Sequence, residues 1–176
     1  MAQHIVIVCG YGCHLVPELR GYLDRVVRFC NENKPDCLIL CGGFTQRKSA
    51  PCISEAMVME EYLIPRLNYS SKVMYMEESS YTALDNIDNA VKTIRRDALM
   101  EDITSLTVFC EATRALKMDL LVRHFLGRRA DIETASWELM SPAKQIVSTL
   151  YDWAAIKFPP LAHYFRNKRL KRAEQI

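Results

Sequence analysis

Three short apolar runs constrain the fold of this chain most: HIVIVCG at 4–10, CLILCGG at 37–43 and SLTVFCE at 105–111. A strand covered on one face alternates apolar and polar residues. These runs are nearly continuous, so they read as strands covered on both faces. Two weaker segments, KVMYM at 72–76 and ADIETAS at 130–136, bring the set to five. Between them, apolar residues recur at helical spacing. Leu19, Leu23, Val26, Val27 and Phe29 mark one helix, with Pro17 in its first turn, where a missing N–H costs nothing. Met57, Met59, Tyr62 and Leu63 mark a second, broken at Pro65. Ile87, Ala90, Val91, Ile94 and Leu99 mark a third, and Leu116, Leu120, Leu121 and Phe125 a fourth. Two more helices follow the fifth strand, separated by Pro159 and Pro160, and Ser141 with Pro142 forms the start signal of the first.

Strands and helices that alternate in this way imply a parallel sheet with right-handed crossovers and helices on both faces. The expected fold is α/β: a Rossmann-like three-layer α/β/α sandwich with a five-stranded parallel sheet in the order 3-2-1-4-5. Residues 1–176 form a single domain, and 159–176 are expected to be a peripheral basic C-terminal helix. Ligands of such sheets bind beyond the carboxyl ends of the strands, where the order reverses. Gly42 and Gly43 close the second strand, so they are expected on that rim, where missing side chains let a ligand approach the backbone.

Net charge is only +2, but it is unevenly spread. Six basic residues and one acid lie from Lys157 onward, which leaves the body at −3. A body of that charge argues against nucleic acid as a partner and assigns any basic function to the tail. The tail has two readings: packing on its own domain, and a weak peripheral contact with anionic lipid. No apolar run approaches the roughly 18 to 20 residues that cross a bilayer, and the N-terminal residues do not read as a secretory leader. Seven cysteines, an odd number with no CxxC pair, read as small buried residues in a reducing cytoplasm.

Familiar motifs fail one by one. GYGCHL after the first strand has two of the three glycines of a dinucleotide fingerprint, with Leu15 in the third place. The second strand ends in Cys41-Gly42, where a nicotinamide-binding sheet places its ribose-binding acid. No GxxxxGK[ST] loop, GxSxG elbow or HExxH pair occurs. What remains is a set of polar and glycine residues that follow successive strands. The candidates for catalysis are Glu55, Asp85 and Glu111. The candidates for ligand binding are Gly10, Gly12, Gly42, Gly43, Glu77, Ser80, Thr82, Asn86 and Arg114. Each also has a local reading: Ser54, Ser80 or Thr82 as a helix cap, Glu55 as a favourable charge on a helix dipole, Asp85 as a solvated acid, Arg114 as an ion-pair partner. Cys9, Cys41 and Cys110 each end a strand. With Cys13 and His14 they read either as packing beneath the rim or as a soft-metal or thiol site.

The ordered set resembles the YdcF-like family, a bacterial family with SanA and ElyC relatives. The resemblance runs over about residues 4 to 125. It rests on a buried strand ending in glycines, LILCGG, SEA before a helix, a glutamate with S-x-x-x-x-D-N opening the third helix, and an arginine after the fourth strand. It places the family's polar positions on Gly42, Gly43, Glu55, Glu77, Ser80, Asp85, Asn86 and Arg114. Two positions depart from the pattern: Ala83 stands where threonine is usual, and Glu111 where histidine is common. The resemblance implies a Rossmann-like fold and a small-molecule pocket. It also implies S-adenosylmethionine as a candidate ligand and, for membrane-anchored branches, a link to envelope polysaccharide.

The leading expectation is a cytoplasmic small-molecule-binding domain, enzymatic or not, for a nucleotide-like or phosphorylated metabolite at the carboxyl edge. Backbone N–H groups of the glycine turns and Arg114 would hold an anion. Glu55, Glu77, Asp85 and Glu111 would serve hydroxyl recognition, general-base work or a divalent cation. The alternatives are a non-catalytic ligand sensor or interaction module, and an envelope-polysaccharide-linked factor.

Overall fold

A computed structural model of the chain describes residues 3–69, 73–97, 103–135 and 141–176. Five strands, β1 (Gln3–Cys9), β2 (Cys37–Cys41), β3 (Val73–Glu77), β4 (Ile103–Glu111) and β5 (Asp131–Ala135), are joined by four helices: α1 (Pro17–Asn33), α2 (Glu55–Leu63), α3 (Ala83–Arg96) and α4 (Ala115–Leu126). Every neighbouring pair is parallel and the order is β3-β2-β1-β4-β5, so the sheet has the expected Rossmann-like topology. Strand ends differ from expectation by no more than about two residues, the usual scatter of such boundaries. Lys72, Leu99 and Ser136 lie outside the described residues.

The two-residue period of the strands sorts the core into two halves. Ile5, Ile7, Cys9, Ile39, Val108 and Cys110 meet α3 and α4 on one face. Val6, Val8, Leu38, Leu40 and Phe109 meet α1 and α2 on the other. Ile5 to Cys9 are wholly buried, which explains why β1 carries no alternating polar residue. Tyr22 of α1 ties the layers at the carboxyl end: its hydroxyl donates to the carbonyls of Cys9 and Phe109, at 2.9 and 3.0 Å.

Local signals set the helix starts. Ser54 caps α2 by accepting from Met57 N–H. Thr82 and Asp85 form a reciprocal capping box at α3. Pro65 falls in a 3-10 turn, Ile64–Arg66, that ends α2. The phase of α4 differs from expectation. Leu116 is 57% exposed, and the buried face is Met118, Leu121 and Val122 with Lys117.

After β5, α5 (Pro142–Lys157) packs against α4, and α6 (Pro159–Ala173) packs against α5. The segment expected as a peripheral basic helix is α6, mostly exposed and packed on its own domain. Arg47 N–H donates to the Ala173 carbonyl at 2.9 Å and Ser49 N–H to that of Ile176 at 3.1 Å, so the end of the chain is tied to the loop after β2.

Register fixes where the loops emerge. Cys9 pairs with Cys41, Cys41 with Glu77 and Glu111 with Ala135. The strands therefore end nearly level, and the segments that follow β1, β2, β3 and β4 share one edge.

Candidate functional site

A crevice of about 910 Å³ opens on that edge. Seven expected site residues line it together: Gly10, Gly12, Glu55, Ser80, Thr82, Asn86 and Arg114. The other five, Gly42, Gly43, Glu77, Asp85 and Glu111, do not line it. Tyr11, Gln46, Lys117, Ser148, Asp152 and the inner face of α6 complete the walls, and the sequence reading had named none of them for this role.

Glu55 organises the floor. Its Oε1 accepts from Gly12 N–H at 2.8 Å and from the Thr45 hydroxyl at 2.6 Å. A Cβ on Gly10 would stand 2.6 Å from Glu55 Cβ, and one on Gly42 only 2.5 Å from it. These glycines therefore make room for the glutamate rather than for a ligand. Gly43 is also internal: a Cβ there would lie 2.4 Å from the Ser80 carbonyl oxygen, to which Gly43 N–H donates at 3.0 Å. Gly12, at φ 106°, needs the freedom of glycine for its backbone alone.

The expected backbone anion cradle is already occupied. Gly10 N–H donates to the Cys41 carbonyl, Gly42 N–H to that of Glu77, and Cys13 N–H to Gln46 Oε1. With Gly12 and Gly43 engaged as above, anion binding at this edge falls to side chains.

The four acids do not converge. Glu77 Oε1 accepts from Ser79 N–H at 2.8 Å and Asn89 Nδ2 at 3.0 Å, and its Oε2 accepts from the Ser80 hydroxyl. It braces the loop before α3. Asp85 Oδ2 accepts from Tyr81 and Thr82 N–H, both at 3.1 Å, which spends it on the cap. Glu111 is wholly buried beneath the rim, with Oε2 bonded to the Thr113 hydroxyl. Only Glu55 faces the crevice, and burial raises its carboxyl above the ordinary value. Among the described residues no group of three or more His, Cys, Asp or Glu is arranged to hold a metal ion.

The cysteine cluster has the character of packing. Cys9, Cys41 and Cys110 are buried and free. Burial pushes the Cys9 thiol up to about 12 and raises the other two as well, which holds all three as thiols.

Cations dominate the walls. The Arg114 guanidinium lies 4.4 Å from the centre of the Tyr11 ring, and makes no side-chain hydrogen bond or ion pair among the described residues. The Tyr11 ring is fixed in turn, its hydroxyl accepting from Glu111 N–H at 2.5 Å. Lys117 Nζ donates to Ser148 Oγ at 2.5 Å and pairs with Asp152 Oδ2 at 2.7 Å, linking α4 to α5. Burial lowers the Lys117 pKa, and Asp152 offsets that only in part. From α6 come Lys168, Arg169, Lys171 and Arg172. Packing in the crevice lowers the Arg169 pKa, and the nearby Arg114 and Arg172 guanidiniums lower it further.

Comparison of the chain with models of protein families, with curated proteins and with solved structures finds no match. Among the described residues no helix is long and apolar enough to cross a membrane.

Proposed function

We propose that the chain is a small-molecule-binding domain whose crevice takes a phosphorylated, nucleotide-like metabolite. Charge is the observation that carries this reading. Among the described residues six basic side chains line the crevice against two side-chain carboxylates, and one of these, Asp152, is already paired with Lys117. Arg114 adds a planar fork of donors, held over Tyr11 and left without a partner among the described residues. Such a fork matches a phosphate in bidentate fashion. Asn86 adds a neutral polar group to the lining, while the Ser80 hydroxyl is bonded to Glu77.

S-adenosylmethionine, the candidate that the YdcF-like resemblance brings, carries a sulfonium cation. A wall of unpaired lysine and arginine opposes that charge and favours a phosphorylated ligand. Membership of the YdcF-like family and a cytoplasmic site remain parts of the proposal. They rest on the motif order and on seven free cysteines.

In the enzymatic form of this reading, Glu55 is the proton-handling group. It is buried, it lines the crevice, and its raised pKa keeps part of its population protonated closer to neutrality than a free carboxyl. In the sensor form the same pocket binds without turnover.

The test is thermal unfolding of the full chain with ADP and with S-adenosylmethionine, in the wild type and in Arg114→Gln. ADP is expected to raise the midpoint of the wild type, much less that of the variant, and S-adenosylmethionine to leave both unchanged. Stabilisation by S-adenosylmethionine alone overturns the reading. Phosphorus NMR of the ADP mixture then separates enzyme from sensor.

A further inference from the structure

The four cations of α6 pose a problem that a single bound phosphate does not solve. Lys168, Arg169, Lys171 and Arg172 all line the crevice. None makes a side-chain hydrogen bond or ion pair among the described residues. The acids that line the crevice with them are committed elsewhere, Glu55 to Gly12 and Thr45 and Asp152 to Lys117. Lys171 and Arg172 stand in the last turn of α6, where the helix dipole favours cations, but four like charges within five residues still repel one another.

The helix is nonetheless held against the rim. Arg166 Nη2 donates to the Ser79 carbonyl at 3.3 Å, and Arg166 Nε lies 3.9 Å from Asp85 Oδ2. At the far end the Ala173 and Ile176 carbonyls accept from Arg47 and Ser49 N–H. Ala173 is buried, so the last turn is anchored and not merely adjacent. Between these anchors Lys168 and Arg169 lie four and three residues before Arg172, and all three line the crevice while remaining exposed to solvent. That spacing sets successive cations along one side, about 5.4 Å apart per turn. Arg114 stands apart on the sheet rim, at the start of α4.

We infer that α6 is a selecting strap, whose row of cations reads a chain of two or more phosphates while Arg114 holds the group at the sheet edge. This rests on the phosphorylated-ligand reading above and goes beyond it by naming the class, a di- or triphosphate over a monophosphate. The four cations are exposed as well as lining the crevice, so a lipid contact of the tail would draw on the same side chains.

Calorimetric titration of the full chain with orthophosphate, pyrophosphate and tripolyphosphate tests the strap. The wild type is expected to bind tripolyphosphate at least about tenfold more tightly than orthophosphate. In Lys168→Gln/Arg172→Gln that preference is expected to fall to about threefold or less. In the charge-matched control Lys144→Gln/Lys157→Gln, on α5 outside the crevice, it is expected to persist. Arg114→Gln is expected to weaken all three probes. Urea unfolding of each variant accompanies the titrations, and a strap variant that unfolds early is replaced by Lys171→Gln/Arg172→Gln. Equal affinity of the wild type for the three probes overturns the strap alone, as does loss of preference in the α5 control. Failure of every probe to bind overturns the phosphorylated-ligand reading as well.

Discussion

Gly12 N–H donates to Glu55 Oε1 across 2.8 Å, joining the loop after β1 to the first residue of α2. The same carboxylate fills the space that side chains on Gly10 and Gly42 would occupy. One acid thus shapes the floor of the crevice and is also the proton-handling candidate of the enzymatic reading.

The pH dependence of stability follows from that burial. A carboxyl whose pKa is raised on folding holds its proton more tightly in the folded chain than in the unfolded one. Its contribution is complete below the ordinary value of 4.5 and is lost as pH rises through the folded value. The wild type should therefore lose stability with rising pH, relative to Glu55→Gln, whose amide oxygen still accepts from Gly12. Urea unfolding on both sides of pH 4.5 measures this difference. Parallel profiles for the two proteins would remove Glu55 as its source.

Glycines that resemble one another in the sequence should separate on substitution by alanine. At Gly43 the new Cβ meets backbone oxygen at 2.4 Å, and a loss on the order of 2 kcal/mol is expected. At Gly12 the nearest atom is the movable Gln46 side chain at 3.3 Å, so the loss of about 1 kcal/mol comes from its positive φ. Gly21, in the middle of α1 with nothing within 4 Å, should gain about 0.5–1 kcal/mol. Chemical denaturation ranks the three, and a neutral Gly43→Ala would contradict the close packing described.

The Lys117–Asp152 pair joins α4 to α5 with both side chains largely buried. Removing one partner strands the other, so Lys117→Met should cost about 3 kcal/mol, and Lys117→Met/Asp152→Leu should recover much of it. A double variant as unstable as the single would show that the pair is not the link.

The sheet was legible because Ile5 to Cys9, Leu38 to Cys41 and Val108 to Cys110 are unbroken apolar runs, as strands covered on both faces are. The carboxyl edge followed from topology, which is why seven of twelve expected residues meet in one crevice. The roles of the glycines were not legible, because the atom that needs their space belongs to Glu55, far along the chain. Lys117 escaped notice because the sequence spacing put Leu116 on the apolar face, whereas the helix buries Lys117 and exposes Leu116. The strap was missed for a similar reason, since a basic run with a weak apolar stripe fits a surface helix equally well. Its signal was the charge imbalance between body and tail, which asks where six cations find their counter-charge.

The most direct test of the central claim is a crystal structure of the full chain grown with ADP. Phosphate density is expected between the Arg114 guanidinium and the inner face of α6, in hydrogen-bond reach of at least one of Lys168, Arg169, Lys171 and Arg172. An empty crevice at saturating ADP, or phosphates bound away from both Arg114 and α6, would contradict that claim.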